Sequence, residues 1–126
     1  MIKGIDHFGV VTTDVERAAK FYTEVLGFRE TMRLETEHSG TIVFVGVDGV
    51  QVELFGGGDP RKMQEGKPVG YVHLALVVDD VDAEHERMSK LGVEFGMRPT
   101  SVEAGLRIAF FTDPDGNPIE LMQRPG

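Results

Sequence analysis

Two histidines and two glutamates recur at matching places in the two halves of this chain. His7 stands in the stretch DHFGVVTTDV, and the same order of residue types returns around His73, 66 positions later. Glu53 and Glu120 are related in the same way, with 43–54 lying over 110–121. Two imidazoles with two carboxylates suit a borderline divalent cation such as Ni, Zn, Co, Mn or Fe. The repeat therefore predicts a metal centre made of His7, Glu53, His73 and Glu120.

The repetition of these histidines and glutamates favours a metal-binding role over that of ordinary polar residues on a strand. A single histidine or glutamate on a half-exposed strand is usually a plain polar side chain. The other two histidines, His38 and His85, have no counterpart in the opposite half. The two repeated pairs therefore favour a shared chemical role.

Composition excludes several kinds of chemistry. The 126 residues contain no cysteine, so neither a thiolate nucleophile nor a cysteine-ligated metal is available. Thirteen basic and twenty-one acidic residues give a formal net charge of −8, which disfavours nucleic acid and anionic membranes as partners. Neither an apolar signal-peptide core nor an 18-residue apolar run is present, so we expect a cytoplasmic protein.

Each half shows the element order β-α-β-β-β. In the first half, Thr13 and Glu16 have the spacing of a capping box at the start of a helix, and Gly27 is typical of its end. Asp48 and Gly49 predict a tight hairpin turn. The four expected strands are 5–11, 28–37, 41–47 and 50–55.

The second half repeats this order. The expected elements are a strand at 71–78, a helix at 81–91 and strands at 93–97, 106–112 and 117–123. The residues 113–116 predict a turn between the last two strands. A Gly- and Pro-rich segment joins the halves. We therefore expect one domain over 1–126, with module one at about 1–56, a linker at about 57–70 and module two at about 71–126.

Strand periodicity places each of the four candidate ligands on the face of its strand that points away from the core. Successive side chains of a strand point to opposite faces, so each ligand candidate lies opposite bulky apolar neighbours. These expected core neighbours are Phe8, Val10, Val52, Leu54, Leu74, Leu76, Ile119 and Leu121. A pseudo-two-fold axis between the modules would bring the four polar residues to a common centre.

At this point the chain resembles the vicinal oxygen chelate superfamily, which contains glyoxalase I, bleomycin-binding proteins and extradiol dioxygenases. The resemblance rests on 7–11, on Phe21-Tyr22 with Leu26-Gly27-Phe28, on 52–54 and 73–75, and on the long stretch 111–121. It implies an α+β fold of two tandem βαβββ modules forming a U-shaped, partly open eight-stranded barrel around a metal cleft. It also implies a homodimer that acts on a small molecule.

The resemblance is strongest to glyoxalase I, whose four ligand positions match His7, Glu53, His73 and Glu120. It implies one divalent metal ion and a metal-dependent lyase or isomerase similar to lactoylglutathione lyase, with proton transfer next to a carbonyl through a metal-stabilised enediolate. By this similarity Glu120 is the catalytic base and Glu53 the paired acid or base. Extradiol dioxygenases and fosfomycin-resistance enzymes lack the second carboxylate.

Departures from the family pattern keep two alternatives open. Val11 stands where bacterial glyoxalase I has an arginine that holds glutathione, and the apolar run at 8–11 is more similar to methylmalonyl-CoA epimerase. The alternatives are therefore an epimerase-like enzyme and a non-catalytic drug-binding protein of the bleomycin-resistance type. Arg33, Arg98 and Arg107 are candidates for holding an anionic group of the substrate.

Overall fold

Two compact units, residues 1–65 and 66–126, make up the chain. The structure is a computed structural model and describes residues 1, 3, 5–38, 40–59 and 73–126. Each unit has one four-stranded sheet with a helix after its first strand. The α+β fold of two tandem βαβββ modules that the sequence predicts is therefore confirmed. No helix in the described part of the chain is long and apolar enough to cross a membrane.

The first unit has the strand order β1-β4-β3-β2. Strand β1 pairs in parallel with β4, and the other neighbours are antiparallel. A short helix, α1, follows β1 and continues into a π-helical turn at Phe21–Val25. The bounds are β1 His7–Val11, α1 Val15–Lys20, β2 Arg29–Thr36, β3 Gly40–Val47 and β4 Val50–Phe55.

The second unit has the same topology, with the order β5-β8-β7-β6 and a parallel β5–β8 pair. Its bounds are β5 Leu74–Val77, α2 Val81–Lys90, β6 Phe95–Ser101, β7 Arg107–Thr112 and β8 Pro118–Gln123. Strand β6 is longer than the strand predicted at 93–97, because register shifts let it continue to pair with β7 up to Ser101. Residues 60–72, which include most of the expected linker and the start of the expected strand 71–78, lie outside the described residues.

Both helices begin at an aspartate. Asp14 accepts a hydrogen bond from the backbone N–H of Arg17 at 3.0 Å, and Asp80 accepts one from Ala83 at 3.0 Å. The capping box predicted at Thr13 and Glu16 is therefore wrong by one residue. A carboxylate accepts the first free N–H groups and complements the positive end of the helix better than the hydroxyl of Thr13, which instead accepts from the Arg17 guanidinium.

The predicted turns form as expected. Asp48 and Gly49 both have positive φ, at 50° and 81°, which is the conformation of a two-residue hairpin whose twist matches its strands. Between β7 and β8, the buried carboxylate of Asp113 accepts from the backbone N–H groups of Asp115 and Asn117, each at 2.9 Å. These bonds satisfy the backbone of the turn without a metal ion.

Each core lies between a helix and one face of its own sheet. Ala18 and Tyr22 are buried in the first unit, where α1 contacts β3 and β4, and Met88 of α2 is buried in the second. Of the predicted core residues, Val52, Leu54, Ile119 and Leu121 are at most 2% exposed. Phe8 is 39% exposed, because β1 is an edge strand of its sheet.

An ion pair joins each helix to a strand on this helix-covered face. Arg33 in β2 contacts Glu16 in α1, and Arg107 in β7 contacts Asp82 in α2 through two bonds of 2.6 and 2.8 Å. Hydrogen bonding by the arginine lowers the pKa of the Glu16 carboxyl and, in the second unit, the pKa of Asp82. In both modules, therefore, an arginine–carboxylate ion pair joins the helix to the sheet.

We expect Arg107→Gln to raise the pKa of Asp82 toward the ordinary aspartate value, because the lost hydrogen bond and charge both favour the ionised carboxyl. Since the folded-state pKa of Asp82 is depressed, its stabilising contribution is present above the unfolded pKa and is lost as pH falls through the folded value. Carboxyl ¹³C NMR titration measures the shift. Arg87→Gln, which removes the partner of Glu84 on the same helix, is the control. An unchanged Asp82 titration in Arg107→Gln would contradict this assignment.

Candidate metal centre

His7 and Glu53 lie side by side on the face of the first sheet that the helix does not cover. In the parallel β1–β4 pair, Glu53 is opposite Gly9, and His7 is two residues before Gly9 on the same face. The Nε2 atom of His7 is 3.5 Å from Oε1 of Glu53. The parallel register therefore joins the imidazole and the carboxylate of the first unit.

His73 and Glu120 form the same arrangement in the second unit. Glu120 in β8 is opposite Ala75, and His73 stands two residues before Ala75, just ahead of β5. The Nε2 atom of His73 is 3.1 Å from Oε1 of Glu120. The Glu120 side chain is only 10% exposed, whereas that of Glu53 is 23% exposed. Each unit thus brings together one of the two predicted histidines and one of the two predicted glutamates.

A phenylalanine supports each imidazole. His7 meets Phe44 edge to face at 5.4 Å between ring centroids, and His73 meets Phe110 in the same way at 5.3 Å. Each phenylalanine is directly opposite the glutamate of its unit. Phe44 therefore corresponds to Phe110, one residue away from the sequence alignment, because the turn between the two strands is one residue longer in the second module.

Asp6 fixes the orientation of the His7 ring. Its Oδ2 atom is 2.7 Å from Nδ1 of His7, so the opposite nitrogen, Nε2, faces Glu53. Carboxylates commonly orient metal-binding histidines in this way, because accepting the Nδ1 proton leaves a lone pair on Nε2. Sequence reasoning did not single out Asp6, although a carboxylate beside a ligand histidine was the available signal.

Gly9 provides space beside the first pair. A Cβ atom at this position would lie 3.1 Å from the Phe55 ring and 3.6 Å from Oε1 of Glu53. Any larger residue would therefore crowd the Phe55 ring, which would have to shift by a few tenths of an ångström. In the second unit, Ala75 occupies the matching place, opposite Glu120.

Of the three arginines proposed to hold an anionic substrate group, two form ion pairs away from the candidate site and, within the described ranges of the chain, one does not. Arg33 and Arg107 lie on the helix-covered faces, paired with Glu16 and Asp82, and so point away from the His–Glu pairs. The prediction of an anion-binding role is wrong for these two, since their charge is already neutralised on the opposite side of each sheet. Arg98 is exposed in β6, and no carboxylate pairs with it among the described residues.

The donor set fits a divalent ion. Two ligands bonded to one ion at about 2.1 Å and at a right angle lie roughly 3 Å apart. The nitrogen-to-oxygen separations of 3.5 and 3.1 Å are close to this spacing. Within the part of the chain that the structure describes, no group of three or more such side chains comes together.

Comparison with known proteins connects this arrangement to characterised and uncharacterised relatives. The chain is 35% identical to the uncharacterized YwbC protein of Bacillus subtilis, over 98% of this chain and 100% of that one. It is 33% identical to the probable lactoylglutathione lyase of Vibrio cholerae, over 87% of this chain and 83% of that one. Among solved structures, TnmS3, an antibiotic binding protein from Streptomyces sp. CB03234, is 33% identical with a TM-score of 0.76, and 98% of each chain is covered.

A family model matches nearly the whole chain. The matched region runs from residue 4 to residue 121, and so contains all four candidate ligands and both sheets except for the last two residues of β8. The resemblance seen in the sequence is thereby confirmed. The chain belongs to the Glyoxalase/Bleomycin resistance protein/Dioxygenase superfamily.

Proposed function

We propose that this protein is a metal-dependent lyase or isomerase of the glyoxalase I type that moves a proton between the two carbons of a hydroxy-carbonyl compound. The observation that carries the proposal is the duplicated His–Glu contact, 3.5 Å in one unit and 3.1 Å in the other. The likeness to a probable lactoylglutathione lyase supports the same reaction class. A thiol adduct of a 2-oxoaldehyde is the substrate class that this relative suggests.

His7, Glu53, His73 and Glu120 are the residues that would hold the ion. When bound, a divalent cation supplies positive charge that stabilises the negative charge developing on the substrate oxygen. Asp6 keeps Nε2 of His7 available, and the phenylalanine beside each imidazole limits the orientations of its ring. These four residues would supply only four ligands, so an ion that takes more than four could also accept oxygen atoms of the substrate.

Glu120 is the proposed base. Its carboxylate takes the proton from the carbon that bears the hydroxyl group and returns a proton to the neighbouring carbon, while the hydroxyl proton passes to the other oxygen. The reaction is a net isomerisation and needs neither oxidant nor reductant. Because the Glu120 side chain is only 10% exposed, little bulk water reaches the proton that it carries. Glu53, the more exposed carboxylate, is the proposed partner for the second proton transfer.

Binding without chemistry is the second candidate function. The observation that favours it is the 33% identity to TnmS3, an antibiotic binding protein, over 98% of both chains. In that case each His–Glu contact would be only a hydrogen bond between an imidazole and a carboxylate. A bound ion is the property that separates the two candidates. An epimerase-like activity, which removes and returns a proton on the carbon next to a thioester carbonyl, would require the ion as well.

We expect protein purified without chelators to hold about one divalent ion per chain, and to regain it after stripping and incubation with Ni, Zn, Co, Mn or Fe. His7→Ala and His73→Ala should each lower the affinity for the best ion, because each removes one ligand. Elemental analysis and chelator competition measure both effects. His38→Ala, at an exposed histidine without a counterpart, is the control. Retention of the ion by the double variant His7→Ala and His73→Ala would refute this ligand set.

We expect Asp6→Ala to lower metal affinity by about 10- to 100-fold, the usual cost of removing a carboxylate that orients a ligand histidine. Competition with a fluorescent chelator provides the measurement. Asp79→Ala, which removes an exposed aspartate elsewhere in the chain, should leave the affinity unchanged. Equal affinities for Asp6→Ala and the unsubstituted protein would show that the Asp6–His7 contact has no such role.

We expect Glu120→Gln to reduce turnover of the hemithioacetal of methylglyoxal by about 10²- to 10⁴-fold at saturating metal, because glutamine cannot accept the proton. Turnover is followed by the absorbance of the thioester product, and circular dichroism checks that the fold is retained. Glu37→Gln, at an exposed turn, should behave like the unsubstituted protein. Near-normal turnover by Glu120→Gln would exclude Glu120 as the base.

A further inference from the structure

A pocket of about 520 Å³ opens on the first sheet, and its lining includes Gln51, the β4 residue opposite His7. Its polar lining includes Arg29, Thr31 and Gln51, with Gly46 between them. The size falls in the range of small-molecule sites in proteins. All of the lining belongs to the first unit, so the pocket is a property of this module alone.

The pocket and the His–Glu pair share one face of the sheet. His7 is opposite Gln51, Gln51 is opposite Gly46, and Gly46 is opposite Arg29, which makes one row across the four strands. A Cβ atom at Gly46 would lie 3.2 Å from Cγ of Gln51 and 3.4 Å from Cγ2 of Thr31. The absence of a side chain at Gly46 therefore keeps the middle of this row open between Gln51 and Arg29.

The positive charge of Arg29 is not neutralised by an ion pair within the described part of the chain. Among the described residues, no carboxylate lies within ion-pair distance of its guanidinium, in contrast to Arg33 and Arg107. Asp48 also lines the pocket, at the hairpin, but does not pair with Arg29. A guanidinium presents a planar set of N–H donors that matches a carboxylate or a phosphate.

The second module has different residue types at the positions that match Arg29, Gly46 and Gln51. Glu94 stands where the first module has Arg29, Thr112 where it has Gly46, and Pro118 where it has Gln51. The His, Glu and Phe residues of the metal centre are, by contrast, the same in both modules. The arginine of this row is therefore present in one module only, as expected if the substrate has one charged end.

We propose that Arg29, with Gln51 and Thr31, binds an anionic group of the substrate, a carboxylate or a phosphate, and so sets the substrate class. Three inter-strand steps of about 4.8 Å separate the backbones of Arg29 and His7, a span of roughly 14 Å that the two side chains shorten. The substrate is therefore a carbonyl compound whose anionic group lies several bonds from the reacting carbons. This inference rests on the proposed function for the reaction, but the anion site exists independently of it.

Binding is tested first, without turnover. The probe is 3-(methylthio)propionate, titrated into the purified protein while backbone amide shifts are recorded by NMR. We expect shifts at the amides of Gly46, Gly49 and Gln51, loss of these shifts in Arg29→Gln, and their retention in Arg33→Gln. Arg33→Gln is a matched control, because it removes the same charge from the opposite face of the same strand. Equal shifts with the neutral 3-(methylthio)propan-1-ol, or unchanged shifts in Arg29→Gln, would overturn the proposal.

Selectivity is tested next, with hemithioacetals of methylglyoxal. The adduct of 3-mercaptopropionate carries a carboxylate, and the adduct of 2-mercaptoethanol is neutral. Arg29→Gln should raise KM for the anionic adduct about tenfold or more, the usual effect of losing a charge-assisted hydrogen bond, with kcat and the neutral adduct unaffected. Arg33→Gln should change neither. A fall in kcat for both adducts would overturn the binding role, whereas absence of any turnover would refute the proposed function and leave the NMR result to decide the subsite.

Discussion

The register of the parallel strand pairs is the constraint on which the site depends. In each module the first strand pairs with the last, so that a histidine near its start lies beside a glutamate that is distant in sequence. A slip of one residue would turn the glutamate toward the helix and the apolar neighbours Val52 and Leu54, or Ile119 and Leu121, toward solvent. The buried core on one face therefore maintains the polar pair on the other.

The helices reinforce this separation of the two faces. Each begins at an aspartate cap and is joined to its sheet by an arginine ion pair, Arg33 with Glu16 and Arg107 with Asp82. Surface ion pairs contribute little stability by themselves. They matter for function because both arginines are paired on the helix-covered face. Positively charged side chains that contact a substrate on the other face must therefore come from other positions.

Duplication and divergence together explain the organisation of the site face. The residues proposed to hold a metal, and the phenylalanines that support them, are the same in both modules. The row that contains Arg29, Gly46 and Gln51 differs between them. The repeated histidines and glutamates are the proposed metal ligands, whereas a substrate with different ends would need residues that differ between the two modules.

The sequence by itself determined the βαβββ repeat, the strand faces, the turns at 48–49 and 113–116 and the four candidate ligands, because these follow from local periodicity and from residue types repeated at a fixed offset. Only the tertiary structure decided which arginine faces the site. Simple alternation would place Arg29 and Arg33 on the same face of β2. The register shift between Glu30 and Met32 adds one residue, Thr31, which leaves Arg29 on the site face and turns Arg33 to the helix. Such a bulge arises from pairing with the neighbouring strand, and pairing is not a property of the local sequence.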